Sequence, residues 1–128
     1  MWNFKEQVSL NGRLYCFAKK VSLPQVATVK GFGPAHVALS PTFPVLFVSN
    51  YGSGSVVVYS TVGGPEMKGP IYFEEFKRGS GVVPDRQGAA HAHGAFFFGD
   101  NAYVTDLGGD AIWHYKVSSR RLKRPQRI

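Results

Sequence analysis

One cysteine, Cys16, is the entire thiol complement of this 128-residue chain, so no intrachain disulfide can staple it. In the apolar setting "RLYCFA" it reads as a small buried hydrophobe. Acidic residues are also scarce, 8 against 15 Lys and Arg, for a formal net charge of +7. Residues 117–128, "VSSRRLKRPQRI", hold five of those cations and no acid, which leaves ten basic against eight acidic residues, a net charge of +2, elsewhere. The body is therefore ordinary in charge. Nothing in it joins a basic stripe to a recognition helix or an RNA-reading sheet, and no specific nucleic-acid partner is expected. No window approaches the 18 apolar residues of a membrane span, so no membrane partner is expected either. The N-terminal "MWNFKEQVSLNGRLYCF" lacks the long apolar stretch and small-residue exit of a signal peptide, and the expected location is cytoplasmic. Helical periodicity is missing as well: no segment offers three uninterrupted turns with caps.

What the chain has is strand signal. Apolar residues make up 44% of it, and its 15 glycines fit a turn-rich globular chain. "RLYCFAK" (13–19), "QVATVK" (25–30), "HVALS" (36–40), "PVLFVS" (44–49) and "SVVVYS" (55–60) are each bounded by glycine, proline or asparagine. "IYFEEF" (71–76), "HAHGAFFF" (91–98), "AYVTD" (102–106) and "AIWHY" (111–115) continue the series. β-Branched and aromatic residues dominate these runs. The expected class is all-β.

A repeat orders the strands. "FVSNYGSGSVVVYS" (47–60) is echoed by "YVTDLGGDAIWHYK" (103–116) at a constant offset of 56, with Asn50 matching Asp106 and Gly52 matching Gly108. Upstream, "PAHVALSP" aligns with "AHAHGAFF" after a one-residue shift. Each unit reads as strand, short turn, strand, tight Asx-Gly turn, strand, with Asn50 and Asp106 as turn holders. Units this short cannot bury both faces alone, which is the physics of a radial or stacked repeat such as a β-propeller.

Chemistry concentrates in "DRQGAAHAHG" (85–94). His91 and His93, two apart on a strand, project to one face. A metal pair of this kind needs at least one further ligand, and no acid follows before Asp100 in a turn; neither a metal nor a cofactor is expected. A hydrogen-bonded pair serving only the fold stands beside a catalytic role for both histidines. "GSGVVPD" lacks the lysine and serine or threonine of a phosphate loop. His114, between aromatics in "IWHYK", reads as packing or surface.

"GFGPAHVALSP…VLFVSNYGSGSVVVY" followed by "VVPDRQGAAHAHGAFF…AYVTDLGGDAIWHYKV" resembles the lactonase propeller family, over about residues 31–117. That family includes propeller-type 6-phosphogluconolactonases and fungal carboxymuconate cyclases. The resemblance implies a partial seven-bladed β-propeller, about two to two and a half blades over residues 1–117, followed by a basic, irregular tail, 118–128, that does not look like an outer strand. It also implies lactone hydrolysis or cycloisomerisation on an anionic sugar or muconate lactone. Carried onto these positions, His91 and His93 are the catalytic candidates and Arg86 the substrate-binding one; His36, equivalent by the repeat to the second-histidine region, is a further substrate-binding candidate on the channel, with a local hydrogen bond as its alternative. Two departures stand out. Gly88 replaces an acid the family usually places after Arg-Gln, and relatives draw on a glutamate and an arginine from later blades. The expectation is a family fragment inactive alone, self-associating through open blade faces; a noncatalytic β-sheet module is the rival.

Overall fold

The computed structural model describes residues 7–9, 13–16, 25–62, 69–118 and 121–128, with residues 7–9, 13–16 and 25–28 given by backbone alone. Every regular element among them is a strand, arranged in three antiparallel sheets taken in chain order. The first holds β1 (Gln7–Ser9), β2 (Arg13–Cys16) and β3 (Gln25–Thr28). Cys16 lies on β2, and its side chain falls outside the described set. The second holds β4 (Pro34–Leu39), β5 (Val45–Asn50), β6 (Ser55–Ser60) and β7 (Tyr72–Glu75). The third holds β8 (Ala92–Phe98), β9 (Asn101–Asp106), β10 (Ala111–Lys116) and β11 (Gln126–Arg127). Two four-stranded antiparallel sheets thus form a propeller-like β architecture.

The repeat seen in the sequence is met strand for strand. β9 and β10 start and stop 56 residues after β5 and β6. Between the two four-stranded sheets lies one core, in which Phe47, Val56 and Val58 meet Ala95, Ala102, Val104 and Tyr115. The Phe47 ring stands edge-on to Phe97 at 5.2 Å and to Tyr115 at 5.4 Å, a favoured aromatic geometry. Leu46, Val48, Val57 and Tyr59 point the other way, into a second cluster with Val29 and Val37. β5 and β6 are therefore buried on both faces, which is why they read as near-continuous apolar runs. β9 alternates buried and half-exposed residues because only one of its faces is covered.

One expectation needs correction. The segment read as lacking an outer strand supplies one: Gln126 pairs with His114 and Arg127 with Trp113. Tyr72 and Phe73 pair with Val58 and Val57 in the same places one repeat earlier. The pairing is two residues long and both residues are exposed, so backbone hydrogen bonding forms it without any apolar alternation. Arg127 anchors it by donating to the carbonyls of Gly109 (3.0 Å) and Asp110 (3.2 Å). Arg124 reaches Glu74 of β7 at 3.3 Å, a largely solvent-screened contact of small energetic weight.

Candidate functional site

The site is built on the crossing from β7 to β8, residues 76–91, which runs between the turns of both sheets. Phe76 donates its N–H to Gly54 in the turn after β5, and Ser80 donates to Gly108 in the turn after β9 (2.9 and 2.7 Å). Gln87, buried, fastens the middle: its amide nitrogen donates to Leu107 O and its amide oxygen accepts from Val83 N, both at 2.8 Å. The chain passes so close to both turns that a Cβ at Gly54, where φ is +58°, would strike the Ala90 backbone. A Cβ at Gly108 would strike that of Ala89. Those two glycines let the histidine strand sit against its neighbours.

Asp106 then fixes where that strand begins. Its buried carboxylate accepts three N–H groups: His91 N (2.8 Å) and Gly109 N (2.9 Å) on Oδ1, and Trp113 Nε1 (3.1 Å) on Oδ2. Three donors answer the desolvation of the charge. Asn50, one repeat earlier, donates instead, to Lys30 O (2.9 Å) and Ser55 Oγ (3.0 Å).

Both histidines meet Tyr51, in the turn after β5. The His91 ring stacks on Tyr51 at 4.3 Å and 13°, with Nδ1 2.9 Å from the Tyr51 carbonyl oxygen. His93 meets the same ring edge-on at 5.9 Å. His93, Tyr51 and Arg86 line one open cleft of about 920 Å³, together with Gln87, Thr105 and Asp110. Arg86 lies on the turn that its own N–H and that of Gln87 close on Val83 O. Its exposed guanidinium has no hydrogen bond or ion pair among the described residues. Among those residues no three His, Cys, Asp or Glu groups converge in a way that would hold a metal ion.

His36 is not brought into this cleft. β4 and β8 both carry an irregularity where they pair with β5 and β9: Pro34 and Val37 face Asn50 and Val48 as Ala92 and Ala95 face Asp106 and Val104. That register makes Ala35, not His36, the counterpart of His93, and Ala35 does line the cleft. The one-residue shift inferred from sequence falls one position off. The His36 ring lies 5.7 Å from Phe96, and its Nδ1 accepts the Ala95 N–H at 3.2 Å. His114 stacks on Tyr103 at 5.1 Å, and its Nε2 contacts Asn101 Oδ1 at 2.9 Å.

Sequence reasoning passed over Tyr51 and Gln87 as site residues. Each sits inside a quoted motif, Tyr51 in "SNYG" and Gln87 next to Arg86, so proximity to the motif was the available signal. Chemically, the cleft offers an unpaired guanidinium able to grip an anionic group and, in His93, one imidazole able to donate or accept a proton.

Comparison with known proteins gives this arrangement a family. Residues 12–128 match the family described as "Lactonase, 7-bladed beta-propeller". A protein from Arthroderma benhamiae named "Probable 6-phosphogluconolactonase" is 35% identical over 108 residues, 82% of this chain and 27% of its own. The "6-phosphogluconolactonase" of Formosa agariphila is 30% identical over 121 residues, 89% of this chain and 34% of its own. The chain thus spans about a quarter to a third of the curated relatives it matches. A solved structure from Lactobacillus plantarum superposes with a TM-score of 0.67 at 20% identity, covering 94% of this chain and 40% of that one. One from Bacteroides uniformis gives 0.68 at 17% identity, covering 96% and 37%. The chain belongs to the lactonase β-propeller family.

Proposed function

We propose that residues 76–111 supply the anion-gripping and proton-moving part of a lactonase site, with 6-phosphogluconolactone as the substrate. The observation that carries this reading is an unpaired Arg86 and the His93 ring on one cleft, inside the family's own motif. The names of both curated relatives support this choice of substrate. The Arg86 fork holds the phosphate. Water adds its oxygen to the lactone carbonyl carbon as a histidine takes one of its protons. The ring acyl–oxygen bond then breaks, and that proton passes to the departing ring oxygen, giving the open hydroxy acid.

The two sheets read as part of a seven-bladed propeller, whose other blades complete the stabilisation of the developing oxyanion. The length of the curated relatives supports this, as does an exposed apolar face on the third sheet. By this reading the chain alone binds the anion and turns it over slowly or not at all. The test is a propeller of an active relative carrying residues 31–117 of this chain in place of its own. Without added metal and in the presence of chelator, it should hydrolyse 6-phosphogluconolactone in preference to carboxymuconolactone. Activity only on the muconolactone would replace the substrate. Activity that depends on zinc would replace the mechanism.

A further inference from the structure

The turn between β9 and β10 holds the one residue other than glycine with a positive φ among the described residues: Asp110, at +48°. One repeat earlier the same place is taken by Gly54, at +58°. Glycine adopts this conformation freely, whereas an L side chain is strained there, aspartate less than most. At Gly54 nothing larger fits, because a Cβ would strike the backbone of Ala90. At Asp110 the side chain opens instead on the cleft that Arg86 and His93 also line. The fold makes no use of that side chain. The Asp110 N–H closes the turn on Leu107 O at 3.4 Å and its carbonyl accepts from Arg127 at 3.2 Å, both backbone contacts that glycine would make as well. Its exposed carboxylate has no hydrogen bond or ion pair among the described residues. The side-chain bonds that hold this turn come from Asp106, whose oxygens are already taken by three N–H groups. A strained residue on a cleft, with a carboxylate the fold leaves idle, is a candidate for contact with a ligand.

We infer that Asp110 is a specificity residue of the cleft, its carboxylate accepting hydroxyl groups of a polyol whose anionic end lies on Arg86. This rests on the lactonase reading and deepens it by naming what selects a hydroxyl-bearing substrate. An ionised carboxylate only accepts hydrogen bonds, and a guanidinium only donates them. Arg86 and Asp110 line one cleft without pairing to each other, so each is left to answer a ligand. A molecule that suits both carries an anionic group at one end and hydroxyl donors at the other, as a sugar phosphate does. A lactone with a carboxylate at each end meets like charge at Asp110, and an unmatched charge of this kind is how a site rejects the wrong ligand. Asp106 also borders the cleft, but its oxygens are engaged, which leaves Asp110 as the accepting carboxylate.

Calorimetry at low salt tests this, with 6-phosphogluconate and inorganic phosphate as ligands of the unaltered chain and of Asp110→Gly. Glycine suits the positive φ, so the urea midpoint of the variant should stay in place. The unaltered chain should bind 6-phosphogluconate more tightly than phosphate. Asp110→Gly should lose about tenfold on 6-phosphogluconate, the loss of a hydrogen bond to a charged acceptor, while binding phosphate at least as well as before. An unchanged affinity for 6-phosphogluconate in Asp110→Gly would overturn the inference and leave the lactonase reading standing. Equal losses on both ligands, or a lowered urea midpoint, would make Asp110 a residue of the fold and overturn the inference likewise. An unaltered chain that does not bind 6-phosphogluconate would overturn the lactonase reading and the inference together.

Discussion

The second and third sheets carry the same strand frame, 56 residues apart, in different surroundings, and the difference separates what the repeat dictates from what its neighbours dictate. Facing the third sheet, the second presents Phe47, Val56 and Val58, all fully buried. At the same frame positions the third sheet presents Tyr103, Ile112 and His114 on a face that nothing described covers, with Phe96 and Phe98 57% and 80% exposed beside them. Strand position is common to both; side-chain polarity follows coverage. The Asx position diverges in the same way. Asn50 holds a carbonyl and a hydroxyl, so it must donate; Asp106 holds three N–H groups, so it must accept. A carboxylate suits the unit whose turn is crossed by the histidine strand.

The largest expected contrast is between equivalent core positions. Phe47→Ala should lower unfolding free energy by about 3–5 kcal/mol, while Tyr103→Ala should cost about 1 kcal/mol or less. Urea unfolding of the two variants checks this. Equal losses would mean that the outer face of the third sheet is covered in solution.

Exchanging the Asx residues sharpens the second contrast. Asp106→Asn turns an amide nitrogen toward N–H groups on one side, and a loss of about 2 kcal/mol is expected. Asn50→Asp sets a buried carboxylate against the Lys30 carbonyl and should cost about 3 kcal/mol at neutral pH, recovering as the pH falls and the acid is protonated. If either swap proves neutral in a denaturant titration, the two turns are interchangeable and the hydrogen bonds do not set the residue type.

A smaller effect concerns the uncovered face. Phe98→Glu should shift association of the chain toward monomer by about tenfold in dissociation constant, read by sedimentation at several concentrations. The corresponding charge at Val62, exposed just after β6, should leave association unchanged. Identical sedimentation of the unaltered chain and Phe98→Glu would place self-association elsewhere or deny it.

Alkaline pH probes the core between the sheets. Burial raises the Tyr115 phenol above its ordinary value of 10.0, with smaller contributions from Tyr72 and Glu74, and burial likewise raises Tyr72. Folded chains keep these protons when unfolded chains have lost them, so the contribution is whole below pH 10 and is lost as pH rises beyond it. The unfolding midpoint should therefore fall above pH 10. Tyr115→Phe, which also removes a buried hydroxyl without a hydrogen-bond partner, should blunt that fall.

These contrasts also mark what the sequence could convey. β5, β6, β9 and β10 were legible because two-sided or alternating burial writes itself into residue type. β11 was not, since an exposed edge pair needs only backbone groups and leaves no apolar pattern in Gln126 and Arg127. Arg86 and His93, named from the motif, line one cleft, while His91 stacks on Tyr51 and is not among the lining residues. His36 was misaligned because irregular pairing near the start of β4 and β8 shifts the correspondence by a residue, and a residue changes the face. Tyr51 and Gln87 make their contacts through a carbonyl, a ring face and an amide, and those contacts depend on what the fold brings near them.

Binding of 6-phosphogluconate by the unaltered chain and by Arg86→Ala, measured by calorimetry at low salt, tests the central claim most directly. The account expects binding that weakens about tenfold or more in Arg86→Ala, with no change in the urea midpoint, because the exposed guanidinium supports no contact of the fold. Equal affinity in the two proteins would contradict it, removing Arg86 from the site and with it the anion grip on which the lactonase reading stands.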